Sequence, residues 1–194
     1  MKKTLTVVII LVISCIVATV VGMIGTNINK KVNPLKYSEH VEYYSELYEV
    51  PEPIIYAVIK TESSFQPDAV SPAGAIGLMQ ITPDTFEWLC TKTGEEADLR
   101  LLKDPATNIR YGTYFLSLLH HEFKSWDTVY AAYNAGRTRV NGWLASEEYG
   151  NNGRLKNIPI KETREYVQKV KESAANYEKL YYTESQTITD AVTE

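Results

Sequence analysis

The stretch AVIKTESSFQP, residues 57–67, puts a carboxylate where a helical pattern calls for hydrocarbon. Ile55, Val58 and Ile59 occupy positions i, i+3 and i+4 of one helix face, and the i+7 position of that face is Glu62. An ionised carboxylate on an apolar face is costly, so the group is paired, takes up a proton, or opens on a cleft. The plain alternative is a helix-end glutamate turned outward to water. The next residues of the chain favour the cleft: Ser63 and Ser64 lead into QPDAVSPAGAIG (66–77), whose prolines and glycines forbid a long regular element. An acid that ends a helix beside irregular backbone stands where binding sites are built. In a partly dry cleft its pKa rises until it can act as a general acid near neutrality.

Outward from this stretch, residues 37–182 read as helices separated by polar, Gly and Pro punctuation, with no run of alternating strands and no internal repeat. The expected fold class is all-α. SEHVEYYSELYEV (38–50) opens with Ser38 as N-cap and carries Val41, Tyr44 and Tyr48 on one face; PEPIIYAVIKTESSF (51–65) comes next as the helix of Glu62. TPDTFEWLC (82–90) restarts a helix with Thr82 as N-cap and Pro83 at the first helical position. DPATNIRYGTYFLSLLHHEF (104–123) repeats that signature with Asp104 and Pro105, and turns Ile109, Leu116, Leu119, Phe123 and Phe115 to one broad face. SWDTVYAAYNAG (125–136) is capped by Ser125 or Asp127 and stopped by Gly136. Residues 137–160 read as mostly loop, with one helical turn near 140–145. The last helix begins near Lys161 and carries Tyr166, Val167, Val170, Ala174 and Tyr177 inward, and 183–194 is a polar tail.

The amino end is a separate element. No charge occurs from Thr4 to Asn29, and TLTVVIILVISCIVATVVGMIG is long enough, as a helix, to cross the hydrocarbon layer. It fits a retained transmembrane anchor, a cleaved secretory signal, or a lipoprotein signal ending at Cys15. Apolar residues continue for two turns beyond Cys15 and no A-x-A site succeeds them, which favours retention. The expected organisation is therefore an anchor over 1–29, a linker over 30–36, a catalytic domain over 37–182 and the tail. The short basic leader, Lys2 and Lys3, places the amino end inside and the domain on the extracytoplasmic, cell-wall side, although Lys30 and Lys31 lie just after the span.

At 194 residues, with 44% hydrophobic and 23% charged, the chain can bury one domain's core. Removing the four lysines that flank the span from its 20 basic residues leaves 16 against 24 acidic ones, a net of −8, which argues against nucleic acid as a partner. Cys90, in FEWLC, is the sole cysteine of the domain and reads as core packing; no intradomain disulfide is available. His40, His120 and His121 make no metal-ligand spacing and read as surface or helix-end residues.

TESSF (61–65), SPAGAIGLMQITP (71–83), AAYNAG (131–136) and IPIKETREYV (158–167) resemble, in order and spacing, the successive motifs of the soluble lytic transglycosylase family. That lysozyme-like group cuts bacterial peptidoglycan. The resemblance implies a lysozyme-like helical domain with Glu62 as the single catalytic acid and Ser71 at the cleft near it. It further implies Gln80 lining the sugar site, Tyr133 contacting the glutamate through its hydroxyl, Asn134 in the same motif, and Glu162 gripping an N-acetyl group. Leu78 and Met79 remain core in this reading. No metal, nucleotide or other cofactor is required. The partners it implies are peptidoglycan glycan strands and, through the amino-terminal helix, the membrane. Two positions depart from the family pattern: Arg137 and Thr138 stand where Pro-Gly often succeeds YNAG, and Thr82 stands where some members have methionine. Trp143 and Tyr149 offer sugar-stacking platforms, while Trp88, Trp126 and Trp143 also fit core or rim. A lysozyme-type hydrolase with Asp68 or Asp84 as second carboxylate, and a tethered module that binds glycan without cutting it, are the competing functions.

Overall fold

The computed structural model describes residues 2–183. The tail expected over 183–194 therefore lies, apart from Thr183, outside the described residues. The chain divides into two units, residues 35–178 and a second that holds α1 (Lys2–Val32) with residues 179–183. Leu11–Val32 has a mean hydropathy of 2.1 and none of it is buried, so it is long and apolar enough to cross a membrane. α1 runs into the stretch expected as linker, because Lys30 and Lys31 propagate a helix well and complement its negative end; Pro34 then stops it. Within this unit the Tyr181 hydroxyl donates to the Asn33 carbonyl at 2.7 Å.

Residues 35–178 form α2 (Ser38–Tyr48), α3 (Glu52–Ser63), α4 (Pro83–Thr93), a 3-10 turn (Leu99–Lys103), α5 (Pro105–Phe123), α6 (Trp126–Ala135), α7 (Arg137–Ala145), a small hairpin of β1 (Gly150–Asn151) and β2 (Arg154–Leu155), and α8 (Lys161–Tyr177). The class is all-α, as the punctuation implied. α3 packs against α8, α8 against α6, α6 against α5, and α5 against α2. Ile55, Val58, Ile59, Leu89, Ile109, Leu116, Leu119, Val129 and Val170 meet in the fully buried core, where apolar area removed from water is the main stabilising term. Cys90 is buried there too, its Sγ 3.5 Å from the Tyr111 hydroxyl.

The caps read from sequence at α4 and α5 are present. The Thr85 amide donates to Thr82 Oγ1 at 3.3 Å and the Thr107 amide to Asp104 Oδ2 at 2.8 Å, each satisfying an otherwise orphaned helix-start donor. Ser38 is not a cap: Tyr37 precedes α2 in the left-handed region (φ 62°) and Ser38 is already helical. Ser173, not Ala174, is the buried residue at that level of α8. The largest difference is residues 137–160, expected as mostly loop. Residues 137–145 are helical throughout, and Asn152-Gly153, both at positive φ, turn the hairpin that pairs Gly150 with Leu155 and Asn151 with Arg154.

Candidate active site

α3 is apolar on every side from Pro53 to Ile59, so its position is fixed by burial and its last turn carries Glu62 to the edge of the core. The helix ends there because Ser64 and Phe65 both adopt left-handed backbone (φ 51° and 65°), an uncommon pair for residues with side chains and a local strain beside the acid. Glu62 is half-buried. Burial raises its pKa to about 7 from 4.5, and the hydrogen bond from Tyr166 opposes that rise. The Tyr166 hydroxyl donates to Glu62 Oε1 at 2.7 Å.

This last contact corrects one expectation. The hydroxyl bonded to the glutamate belongs to Tyr166 on α8, whereas the Tyr133 hydroxyl donates to the Met79 carbonyl at 2.8 Å. α6 aims Tyr133 at the loop between α3 and α4, while α8, packed along α3, brings Tyr166 over the acid. Tyr133 still feels Glu62: burial, and then the charge of Glu62, hold its hydroxyl pKa well above the usual value, and the same two causes act on Tyr166. The sequence marks Tyr166 only as an inward residue. Its further signal is its place in ETREYV, one helical turn after Glu162 on the same face.

The loop carrying GLMQ is held by three helices. Ser63 Oγ on α3 donates to the Leu78 carbonyl at 2.8 Å. Asn108 on α5, fully buried, donates to the Ile76 and Leu102 carbonyls at 2.9 and 2.7 Å and accepts from the Met79 amide at 2.7 Å. Tyr133 on α6 supplies the third tie. Leu78 and Met79 are fully buried, as expected. Sequence reasoning misses Ser63 and Asn108; the one cue for Asn108 is an amide at a core level of an amphipathic helix.

The remaining expected residues divide. Ser71 Oγ accepts the Ala75 amide at 3.0 Å, and Gln80 Nε2 donates to the Ala69 and Gly77 carbonyls at 3.1 and 2.9 Å; both brace the loop's own turns. Glu162 is exposed in the first turn of α8, and Asn134 is exposed at the end of α6. Asn134 and Tyr133 line a groove of about 450 Å³ with Asp84, Trp88, Phe115 and Arg137. Glu62 is outside that lining; Tyr133, whose ionisation it influences, is common to both regions. Of the aromatic residues, Trp88 rather than Trp143 or Tyr149 opens on the groove, edge-on to Phe115 at 6.1 Å, while Trp143 is buried. Asp68 is exposed and pairs with Lys103 at 3.7 Å, and Asp84 is exposed on the first turn of α4.

A family model described as "Transglycosylase SLT domain" matches residues 39–154. The chain belongs to the SLT transglycosylase family. Over 164 residues it is 34% identical to the soluble lytic murein transglycosylase of Escherichia coli (strain K12), covering 79% of this chain and 24% of that protein. It is 37% identical over 108 residues to membrane-bound lytic murein transglycosylase C of Actinobacillus succinogenes, covering 53% and 29%. The solved structure of the 70-kDa soluble lytic transglycosylase in complex with bulgecin A superposes with a TM-score of 0.73 at 32% identity, over 79% of this chain and 26% of that one. The chain thus spans about a quarter of the length of the soluble relatives it matches. One of these relatives is named membrane-bound, and in this chain Leu11–Val32 is long and apolar enough to cross a membrane.

Proposed function

We propose that this protein is a peptidoglycan lytic transglycosylase, cleaving the β-1,4 bond between N-acetylmuramic acid and N-acetylglucosamine without adding water. The observation that carries the reading is Glu62, half-buried and poised near pH 7 under the Tyr166 hydroxyl. In the first step the protonated carboxyl gives its hydrogen to the bridging oxygen and the bond from C1 to that oxygen breaks. The sugar's own 2-acetamido carbonyl supports the positive C1. Glu62, now a carboxylate, takes the proton of the C6 hydroxyl as O6 bonds to C1. A 1,6-anhydromuramic end forms and the acid is restored. A group that serves as acid and then as base works best with a pKa near working pH, which is what burial supplies.

In this reading Tyr166 positions Glu62 and steadies its ionised form, Glu162 grips the N-acetyl group, and Gln80, Asn134 and Tyr133 border the sugar path. Ser71 and Asn108 act through the loop they hold. The span Leu11–Val32 anchors the chain once through the membrane, with the SLT domain on the cell-wall side.

A hydrolase would need a second carboxylate to hold water. Digesting purified sacculi and weighing the fragments separates the two. Transglycosylation leaves anhydro ends one water lighter than hydrolytic products, and the Glu62→Gln variant is expected to release fragments at least about a hundredfold more slowly. Reducing ends alone would assign a hydrolase, and wall binding without any release would assign a binding module.

A further inference from the structure

A pocket of about 290 Å³ lies between the last turns of α3 and the second half of α8, lined by Lys60, Thr61, Lys169, Glu172, Ser173 and Asn176. It shares no lining residue with the groove of Tyr133. Lys60 precedes Glu62 by two residues, about 200° around the helix, so its side chain leaves α3 on the side away from the acid. On α8, Lys169, Ser173 and Asn176 are spaced i, i+4 and i+7 and share one face.

Two features of this pocket are not explained by folding alone. Ser173 is 6% exposed, yet its hydroxyl makes no hydrogen bond among the described residues, and a buried hydroxyl without a partner costs stability. A helical serine or threonine has a ready acceptor in the carbonyl four residues back, and Thr61 uses it, donating to Ala57 at 2.8 Å; Ser173 does not. The second feature is Lys60, whose pKa is lowered by burial, so that its charged form is disfavoured where it stands. A ligand that brings negative charge and acceptor oxygens offsets both costs.

The lining narrows that ligand. Two ammonium groups come from different helices, and Asn176 and Ser173 add an amide and a hydroxyl as neutral donors. Glu172 supplies the one negative charge of the lining, and its Oε1 accepts from Gln168 Nε2 at 2.7 Å. The two lysines disfavour a metal cation, and a neutral sugar makes no use of them. A planar carboxylate is best held by a guanidinium fork, which this lining lacks; point-charge lysines suit the tetrahedral oxygens of phosphate.

We propose that this pocket is a phosphate-binding site outside the catalytic cleft, taking the phosphate group of a small ester between Lys60 on α3 and Lys169 on α8, with the Ser173 hydroxyl as a donor at its floor. A phosphate held from both sides bridges the two helices whose packing sets Tyr166 on Glu62. The assignment does not depend on the reaction at Glu62.

The test is an NMR titration of the amide-labelled full chain, in neutral detergent micelles at neutral pH, with inorganic phosphate against sodium chloride at matched ionic strength. The expected result is saturable shifts confined to amides around 60–61 and 169–176, with an apparent Kd of about 1 mM or tighter. Lys60→Gln and Lys169→Gln are each expected to weaken binding about tenfold or more. Lys169 is exposed, so its variant keeps the fold. Ser173→Ala is expected to weaken binding several-fold while its melting temperature in the absence of phosphate is unchanged or higher, because an unsatisfied group is removed; a merely structural serine would leave binding alone. Glycerol 3-phosphate and micelles doped with phosphatidylglycerol then separate the sources: a response to the first assigns a soluble or polymer-borne ester, and a response to the second alone assigns a lipid headgroup. Shifts that do not saturate, that spread over the charged surface, or that persist when both lysines are replaced overturn the proposal, and so does a site that admits neither ester.

Discussion

At Glu62 two influences oppose each other, and burial is the larger. The carboxyl has an ordinary pKa of 4.5 when unfolded and about 7 when folded. Below pH 4.5 it is protonated in both states and burial costs nothing extra. As pH rises through this window the unfolded chain releases its proton first, so stability falls between pH 4.5 and about 7 and then levels off, a total on the order of 3 kcal/mol. Glu62→Gln removes the titration. Melting curves at about pH 4 and about pH 8 are expected to show the variant gaining several degrees on wild type only at the higher pH; an equal difference at both would contradict the burial of this acid. Tyr166→Phe leaves burial unopposed on the same group. It deletes the hydrogen bond that lowers the Glu62 pKa, so the pH-rate profile is expected to move upward and kcat to fall, and an unmoved profile would remove Tyr166 from the site.

Between elements, the GLMQ loop is where helices α3, α5 and α6 converge on one stretch of backbone. Two glycines in it separate strain from crowding. Gly74 and Gly77 both have positive φ (81° and 84°), but a Cβ at Gly74 meets nothing within 4 Å, whereas one at Gly77 stands 2.2 Å from Asn108 Nδ2 and 2.3 Å from the Leu102 carbonyl. Gly74→Ala is expected to cost about 1 kcal/mol from backbone strain alone. Gly77→Ala, which also breaks a buried amide network, is expected to cost about 3 kcal/mol or more, with a large loss of activity. Denaturant titration of the pair checks this, and equal costs would mean that the loop is not pressed against Asn108. Much of this arrangement is legible in the sequence because local chemistry specifies it. Thr82-Pro83 and Asp104-Pro105 announce helix starts, Gly136 a helix end, and the i+7 acid a break in the apolar face of α3. Asn152-Gly153 is equally legible as a hairpin turn but merges into an expected loop, since two-residue strands leave no alternation to see. α7 is hidden for a related reason: its first turn carries Arg137 and Arg139 rather than an acid or a capping side chain, so nothing marks a start. Tyr166 over Glu62 depends on α8 lying along α3, a contact across 104 positions that local pattern does not encode.

At the scale of the whole molecule, the proposed function joins the span and the SLT domain into an enzyme restricted in space. A single helix of mean hydropathy 2.1 is expected to keep the full chain in the membrane fraction through salt and carbonate washes, and recovery of most of it in the supernatant would exclude a retained anchor. Spatial restriction and chemistry meet in one side chain, because the proposed lytic step has no second carboxylate to share the work. The most direct measurement is an isotope-edited NMR titration of the Glu62 carboxyl in the folded SLT domain. The expected midpoint is near 7, moving upward in Tyr166→Phe. A midpoint near 4.5, unaffected by that substitution, would mean an ordinary solvated glutamate and would contradict the proposed mechanism.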